Sequence, residues 1–303
     1  MQVKDWKNTR IYKVDHTLQV KERSQNKQSR INFDMGISCF IQGTSIQRIF
    51  TKENYRINSQ PPKDHHIRLL CDLEQAMYPL IIEVTPYENY VKIPAYNLWK
   101  EDWRKKSQEV LKNKYKGDFA ESLRIGYEKA METEEKLKQK IQEEAFWRLY
   151  FLGISEDQKE KPCRWNVLKA GTLYFVGTVQ TEIKENEINS RYIGSPEPWE
   201  DNFIENINQL LKLKKYTHAY ITKEKMQANC EVTACWEKST GKLLTKTAEI
   251  KVYSSDKKYS YSEKIEMNYH SISMRKISTP RTFSFFITEK EEVSEKKADP
   301  HGR

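Results

Sequence analysis

"CEVTACWE", residues 230–237, alternates strictly: Cys230, Val232, Ala234 and Trp236 stand in one row, Glu231, Thr233, Cys235 and Glu237 in the other. A period of two belongs to a strand with one buried face, because successive side chains point to opposite sides of a sheet. "KSTGK" (238–242) then supplies the residues of a tight reversal. Leu244, Ala248, Ile250 and Val252 resume the apolar row, and Tyr259, Tyr261, Ile265, Met267 and Tyr269 carry it through a third run. The three runs read as an antiparallel meander with one face turned to a core.

The same signature opens the chain. Tyr12, Val14, Leu18 and Val20 share a row with His16, and Ile31, Phe33, Met35, Ile37, Cys39 and Ile41 form another. A less regular run extends from Ile49 to Ile57. "NSQPPKDHH" (58–66) breaks the pattern, and "YPLIIEVTPYENYVKIP" (78–94) reads as a hairpin turning near "PYEN". Further on, "GTLYFVGTVQTEI" (171–183) reads as a strand and "NSRYIGSPEPWEDN" (189–202) as a loop. That loop leads to a short helix with Phe203, Ile207, Leu210 and Leu211 on one side, closed by "KLKK" (212–215) at the negative end of its dipole. "RTFSFFITE" (281–289) offers a last strand.

Between the two strand groups the period becomes helical. Trp99, Trp103 and Val110 mark a first stripe, Gly117 suits a left-handed helix end, and Asp118 with Glu121 suits the start of a second helix. This predicts an αα-hairpin whose second arm runs from Phe119 to Leu152, on the order of 50 Å at the standard rise. Its stripe is Leu123, Tyr127, Ala130, Leu137, Ile141, Ala145, Leu149 and Leu152, interrupted at Glu134. Glu132 with Lys136 and Glu134 with Lys138 make pairs four apart on the wet faces. Around Phe146, Trp147, Tyr150 and Phe151 no polar face is left, so this end is expected in the core and the charged start is expected to project.

The expected fold class is α+β: one large curved antiparallel sheet made by the N- and C-terminal strand groups, with the central αα-hairpin and a further short helix packed on it. The divisions are a β-rich part over 1–94, the helical hairpin over 95–154, and a part with one helix and the meander over 155–288, all in one compact domain. Residues 289–303 are a charged tail expected to be disordered.

Composition narrows the function classes. The 303 residues include 17 Tyr, 11 Phe and 7 Trp, which supply large buried area, but only 10 Gly, too few for Gly-rich phosphate loops. No run is long and apolar enough for a signal peptide or a membrane span, so a cytoplasmic location is expected. Five scattered cysteines fit reduced, mostly buried thiols. The net charge of +9 gathers on the two strand groups, while residues 94–160 balance to zero. Diffuse charge of this kind is what a solvated surface carries.

Candidate chemistry is sparse. His65, His66 and Cys71 lack a second ligand pair for a metal. "STGK" (239–242) lacks the rest of a phosphate loop and lies between strands. Cys39, Cys163 and Cys230 act as nucleophiles only with a histidine brought close by the fold, and Cys39 and Cys230 lie in apolar rows. Tyr259, Tyr261 and Tyr269 beside Lys257, Lys258 and Lys264 would suit nucleic acid, except that the tyrosines share a row with Ile265 and Met267. No cofactor or metal site is expected, and the reading leans away from an enzyme.

The sequence therefore favours a scaffold or adaptor that binds a protein partner or its own copy. The contact helix would carry Glu132, Glu135, Lys136, Lys138 and Lys140, with Trp99, Trp103, Phe146, Trp147 and Tyr150 as core anchors. One alternative is a carrier or sensor of an apolar small ligand held between sheet and helices. The expected architecture resembles bacterial half-barrel lipid carriers, an analogy with no motif behind it. Such a carrier needs an inner face that Trp99, Trp103 and Trp147 do not fill. Nucleic-acid binding through the basic surface is the other alternative.

Overall fold

The protein is described here from a computed structural model, over residues 6–22, 25–42, 45–84, 90–154, 161–167, 170–197, 199, 201–213, 221–256 and 259–273. Eleven strands form one sheet: β1 (Trp6–Glu22), β2 (Gln25–Gln42), β3 (Ser45–Ile57), β4 (Leu80–Val84), β5 (Tyr90–Lys92), β6 (Lys161–Val167), β7 (Gly171–Ile183), β8 (Glu187–Pro196), β9 (Met226–Glu237), β10 (Lys242–Ser254) and β11 (Tyr259–Ser273). Their order is β5-β4-β3-β2-β1-β11-β10-β9-β8-β7-β6, with β5 and β6 at the edges and every pairing antiparallel.

The first and last described strands meet in the middle. β1 pairs with β11 from Thr9↔Ser273 to Glu22↔Tyr259, which joins the two strand groups into the single sheet expected from their matching periods. The period-two rows fall on one inner face. Val14 stands between Phe33 and Met267, and Ile265 lies beside Ala248, all buried. Lining up such apolar rows across strands makes register costly to slip, since a one-residue shift would turn a whole row to solvent.

Among the described residues six α-helices accompany the sheet: α1 (His65–Gln75), α2 (Tyr96–Lys114), α3 (Asp118–Ala130), α4 (Glu134–Glu143), α5 (Ala145–Phe151) and α6 (Asp201–Leu213). The expected long arm from 119 to 152 is corrected to three helices. Thr133 is extended and its hydroxyl accepts from Lys136 N, so it caps a new helix where Glu134 had broken the stripe. Glu144 is extended too, separating α4 from α5. Nor does the charged start project as a hairpin arm. Leu137 and Ile141 are buried in the main core, and Glu134 accepts from Ile93 N at 2.8 Å.

Two more segments differ from expectation. Residues 65–75, between the break at 58–66 and the hairpin read at 78–94, form a helix that the sequence reading did not assign. The Asp64 carboxylate accepts from His66 N and Ile67 N, and Leu69 and Leu73 bury a stripe with Tyr115 and Ala120 in a second, smaller core. Residues 189–196 lie in β8 rather than a loop: Ser190 and Tyr192 are buried while Arg191 and Ile193 are exposed. Ser190 and Gly194 hid that alternation, because neither reads as apolar.

The "PYEN" turn, the strand expected at 281–289, the tail at 289–303 and the side chains of Leu210 and Leu211 lie outside the described residues. Among the described residues no helix is long and apolar enough to cross a membrane.

Candidate functional site

The inner face of the sheet carries three charged side chains where apolar ones would be expected: Arg48 at 5% exposure, Lys246 at 4% and Glu263 at 4%. All three are turned to account by α5. Arg48 donates to the Tyr150 hydroxyl. Lys246 Nζ donates to the carbonyls of Tyr150 (3.1 Å) and Leu152 (2.7 Å), the last turn of α5 and the residue after it. Helix-terminal carbonyls lack partners within the helix and concentrate negative potential, so a cation there fills two needs at once.

Glu263 is the hub of the third contact. Its Oε1 accepts from His16 Nε2 at 2.7 Å, and its Oε2 accepts from Trp165 Nε1 and from the Tyr261 hydroxyl, both at 2.5 Å. Burial pushes this carboxyl up, but the His16 hydrogen bond and charge, the Arg148 charge and the Tyr261 hydrogen bond together hold it below the usual carboxylate range. Arg148 of α5 brings Nη2 to 3.9 Å from Glu263 Oε1 and lays its guanidinium over the Trp165 ring at 4.5 Å from the centroid. Burial lowers the Arg148 pKa, and the Glu263 charge works against that.

Arg148 also borders a cleft of about 620 Å³ that opens between α4–α5 and the sheet edge at β6. Ile141, Trp147 and Phe151 give it an apolar wall on the helix side, and Arg164, Asn166 and Thr172, which alternate with inward-facing Cys163, Trp165 and Leu173, border it at the sheet edge. Exposed Glu143 adds a carboxylate. Arg148 Nη1 donates to the Asn166 carbonyl at 3.3 Å across the cleft, while its buried Nε has no hydrogen-bond partner among the described residues. The volume falls within the range of small-molecule sites.

The residues singled out from sequence sit as follows. Phe146, Trp147 and Tyr150 fill the inner face over β2 and β3, with Trp147 edge-on to Phe50 at 4.6 Å and Phe146 edge-on to Phe33 at 5.9 Å. Trp99 and Trp103 are buried as well and donate to the carbonyls of Met77 and Leu73. The inner face is thus filled, by Trp147 and its neighbours on the β2–β3 side and by Phe203 and Ile207 of α6 on the β6–β9 side, so the filled interior expected to count against a carrier is what the structure has. The cleft lies outside that interior, at the β6 margin. Glu132 pairs with Lys136 at 2.7 Å, Glu135 with Lys138 at 2.7 Å, and Lys140 lies over the Tyr127 ring at 4.8 Å.

The remaining candidates disperse. His65 and His66 sit at the start of α1 with their rings against Tyr115 and Phe119, each at 4.8 Å. Tyr259 and Tyr261 are buried in the sheet's core, away from solvent and any nucleic acid. Cys163 and Cys230 come together, sulfur to sulfur at 3.8 Å. Sequence reading missed Glu263, Lys246 and Arg48. The signal for Glu263 was its odd position within the row Tyr259, Tyr261, Ile265, Met267, opposite a strand that also carried His16 inward.

No protein-family model and no curated protein matches the sequence. Among solved structures, the chain is similar to lipovitellin, studied for its lipid–protein interactions, at 8% identity and a TM-score of 0.48. That match covers 92% of this chain and 26% of lipovitellin, so the chain spans about a quarter of that relative's length. A putative outer-membrane lipoprotein-sorting protein domain from Vibrio parahaemolyticus matches at 8% identity and a TM-score of 0.16, covering 91% of this chain and 90% of that one. A DUF1329 family protein from Desulfovibrio piger matches at 6% and 0.16, covering 91% and 89%.

The scaffold reading, with protein binding through a projecting charged hairpin, is corrected. The segment it relied on packs against α3 and α5 with Leu137 and Ile141 buried, and its charges pair with one another.

Proposed function

We propose that this chain is a carrier or sensor of an apolar small ligand, held between the sheet and the helices. One observation carries the reading: the cleft of about 620 Å³ beside β6, walled by Ile141, Trp147 and Phe151 and continuous through Trp147 with the main core. An apolar ligand entering there would cover half-buried Phe151, the part of the apolar wall that water still reaches, Ile141 and Trp147 being buried already; binding is favoured in proportion to the area removed from water. The packed side of the inner face serves this reading as a rigid wall, because α5 is held by Arg48 and Lys246 as well as by its aromatics.

Nile red, an uncharged dye that brightens in apolar surroundings, provides the test. The protein is expected to brighten it, and Thr172→Trp, which fills the cleft from the strand side, is expected to abolish the effect. Unchanged brightening by the variant would move the site elsewhere, and no brightening of the parent protein would count against a carrier.

A further inference from the structure

We infer that the polar end of the ligand is an anion, a carboxylate or phosphate seated between Arg148 and Arg164; this rests on the carrier reading above. Two guanidinium groups border the cleft against the single carboxylate of exposed Glu143. Glu263 pairs with Arg148 by charge but takes none of its hydrogen bonds. Its two oxygens already accept from His16, Trp165 and Tyr261, and Arg148 Nη2 stays at 3.9 Å from Oε1, beyond hydrogen-bond length.

Arg148 keeps an ion pair with Glu263 at 3.9 Å and one hydrogen bond of 3.3 Å to the Asn166 carbonyl, and its Nε is buried away from the cleft, so what it offers a ligand is the remaining donors on Nη1 and Nη2. A guanidinium has five donors in a planar fork that matches the oxygens of a carboxylate or phosphate. Stacking on Trp165 fixes the plane of that fork before a ligand arrives. The cost of ordering a long side chain is then met by the fold, which favours tight binding of a matching anion. Arg164 stands on the edge strand between inward-facing Cys163 and Trp165 and is exposed, placing a second cation at the cleft mouth. An apolar wall with two arginines at one end suits a single-chain amphiphile with an anionic head.

Titrations of the full chain with palmitate, hexadecyl phosphate and hexadecan-1-ol, below their aggregation concentrations, test this. All three share one tail and differ in the head. Both anions are expected to bind about tenfold or more tightly than the alcohol, the size of effect a charge-assisted pair supplies. Arg164→Gln, an exposed position whose loss leaves the core intact, is expected to shrink that gap, and Arg148→Lys to shrink it while keeping the charge. A larger gap for one anion than the other identifies the head as carboxylate or phosphate. Equal binding of all three would overturn the anionic end and leave the carrier reading standing. A gap untouched by either variant would overturn the assignment to these arginines. Binding of none would overturn the carrier reading and this inference with it.

Discussion

Cys163 Sγ lies 3.8 Å from Cys230 Sγ although β7 and β8 stand between their strands. In a flat sheet three strand spacings amount to about 14 Å, farther than two cysteine side chains can bridge. The sheet therefore curls toward its inner face at the β6–β9 end, which brings the edge strand over to α4–α5 and forms the cleft. The curl passes through Gly177 and Gly194, which pair across β7 and β8. A Cβ on Gly177 would come within 2.1 Å of the Ile193 carbonyl oxygen, and one on Gly194 within 2.5 Å of the Tyr192 hydroxyl.

Gly177→Ala is accordingly expected to destabilise the protein by about 1–3 kcal/mol or more, because the obstacle is backbone. Gly194→Ala should cost less, since it meets the end of a side chain. Urea unfolding of the two variants checks the order, and equal stability of Gly177→Ala and the parent would contradict a close approach there.

The thiols at the curl are expected to be inert. The hydrogen bond with Cys163 and then burial push the Cys230 thiol far above the ordinary range, and burial pushes Cys71 up to about 11. Since the thiolate is the reactive form, iodoacetamide should label Cys163 and Cys230 only after unfolding. Rapid labelling of either in the native protein would contradict the packing.

Two carboxylates should give stability opposite dependences on pH. Glu263 is held below its ordinary value, so its contribution is present above about pH 4.3, the unfolded value, and is lost as pH falls through the native one. Glu144 is the reverse: burial, reinforced by Glu74, pushes it up to about 7. The native state then holds the Glu144 proton longer than the unfolded state does, and stability falls as pH rises from about 4.3 toward neutrality. Glu144→Gln is expected to raise the urea midpoint at about pH 8 and leave it unchanged near pH 4, whereas Glu263→Gln lowers it at about pH 8. The same response from both variants would refute the assignment.

The seat of α5 can be weighed by its parts. Lys246→Met leaves the carbonyls of Tyr150 and Leu152 without their donor in a buried place, at a cost of about 1–3 kcal/mol. Trp147→Ala opens a hole against Phe50 and should cost about 3–5 kcal/mol. Thermal unfolding ranks them, and a milder loss for Trp147→Ala would mean that polar contacts dominate the docking.

The strands of the two groups were legible because Val14, Phe33, Val232 and Ile265 keep a period of two over long runs. Their sharing one sheet followed from the matching periods, but the seam between them did not, because β1 and β11 pair across the length of the chain and nothing local records that contact. The break in the long helix did leave a mark: Glu134 falls in the apolar stripe, and Thr133 before it is a capping residue. The site was largely hidden for a different reason. Arg148 reads as a helix charge and Arg164 as a surface charge until the curl brings α5 and β6 together. Glu263 reads as a solvent residue unless its place in an apolar row is taken at face value.

Native mass spectrometry of the protein purified gently from its own cells bears most directly on the central claim. The carrier reading predicts a species heavier than the 36.1 kDa chain by one discrete small-molecule mass, lost on Thr172→Trp. A bare 36.1 kDa chain, or only multiples of it, would contradict that reading.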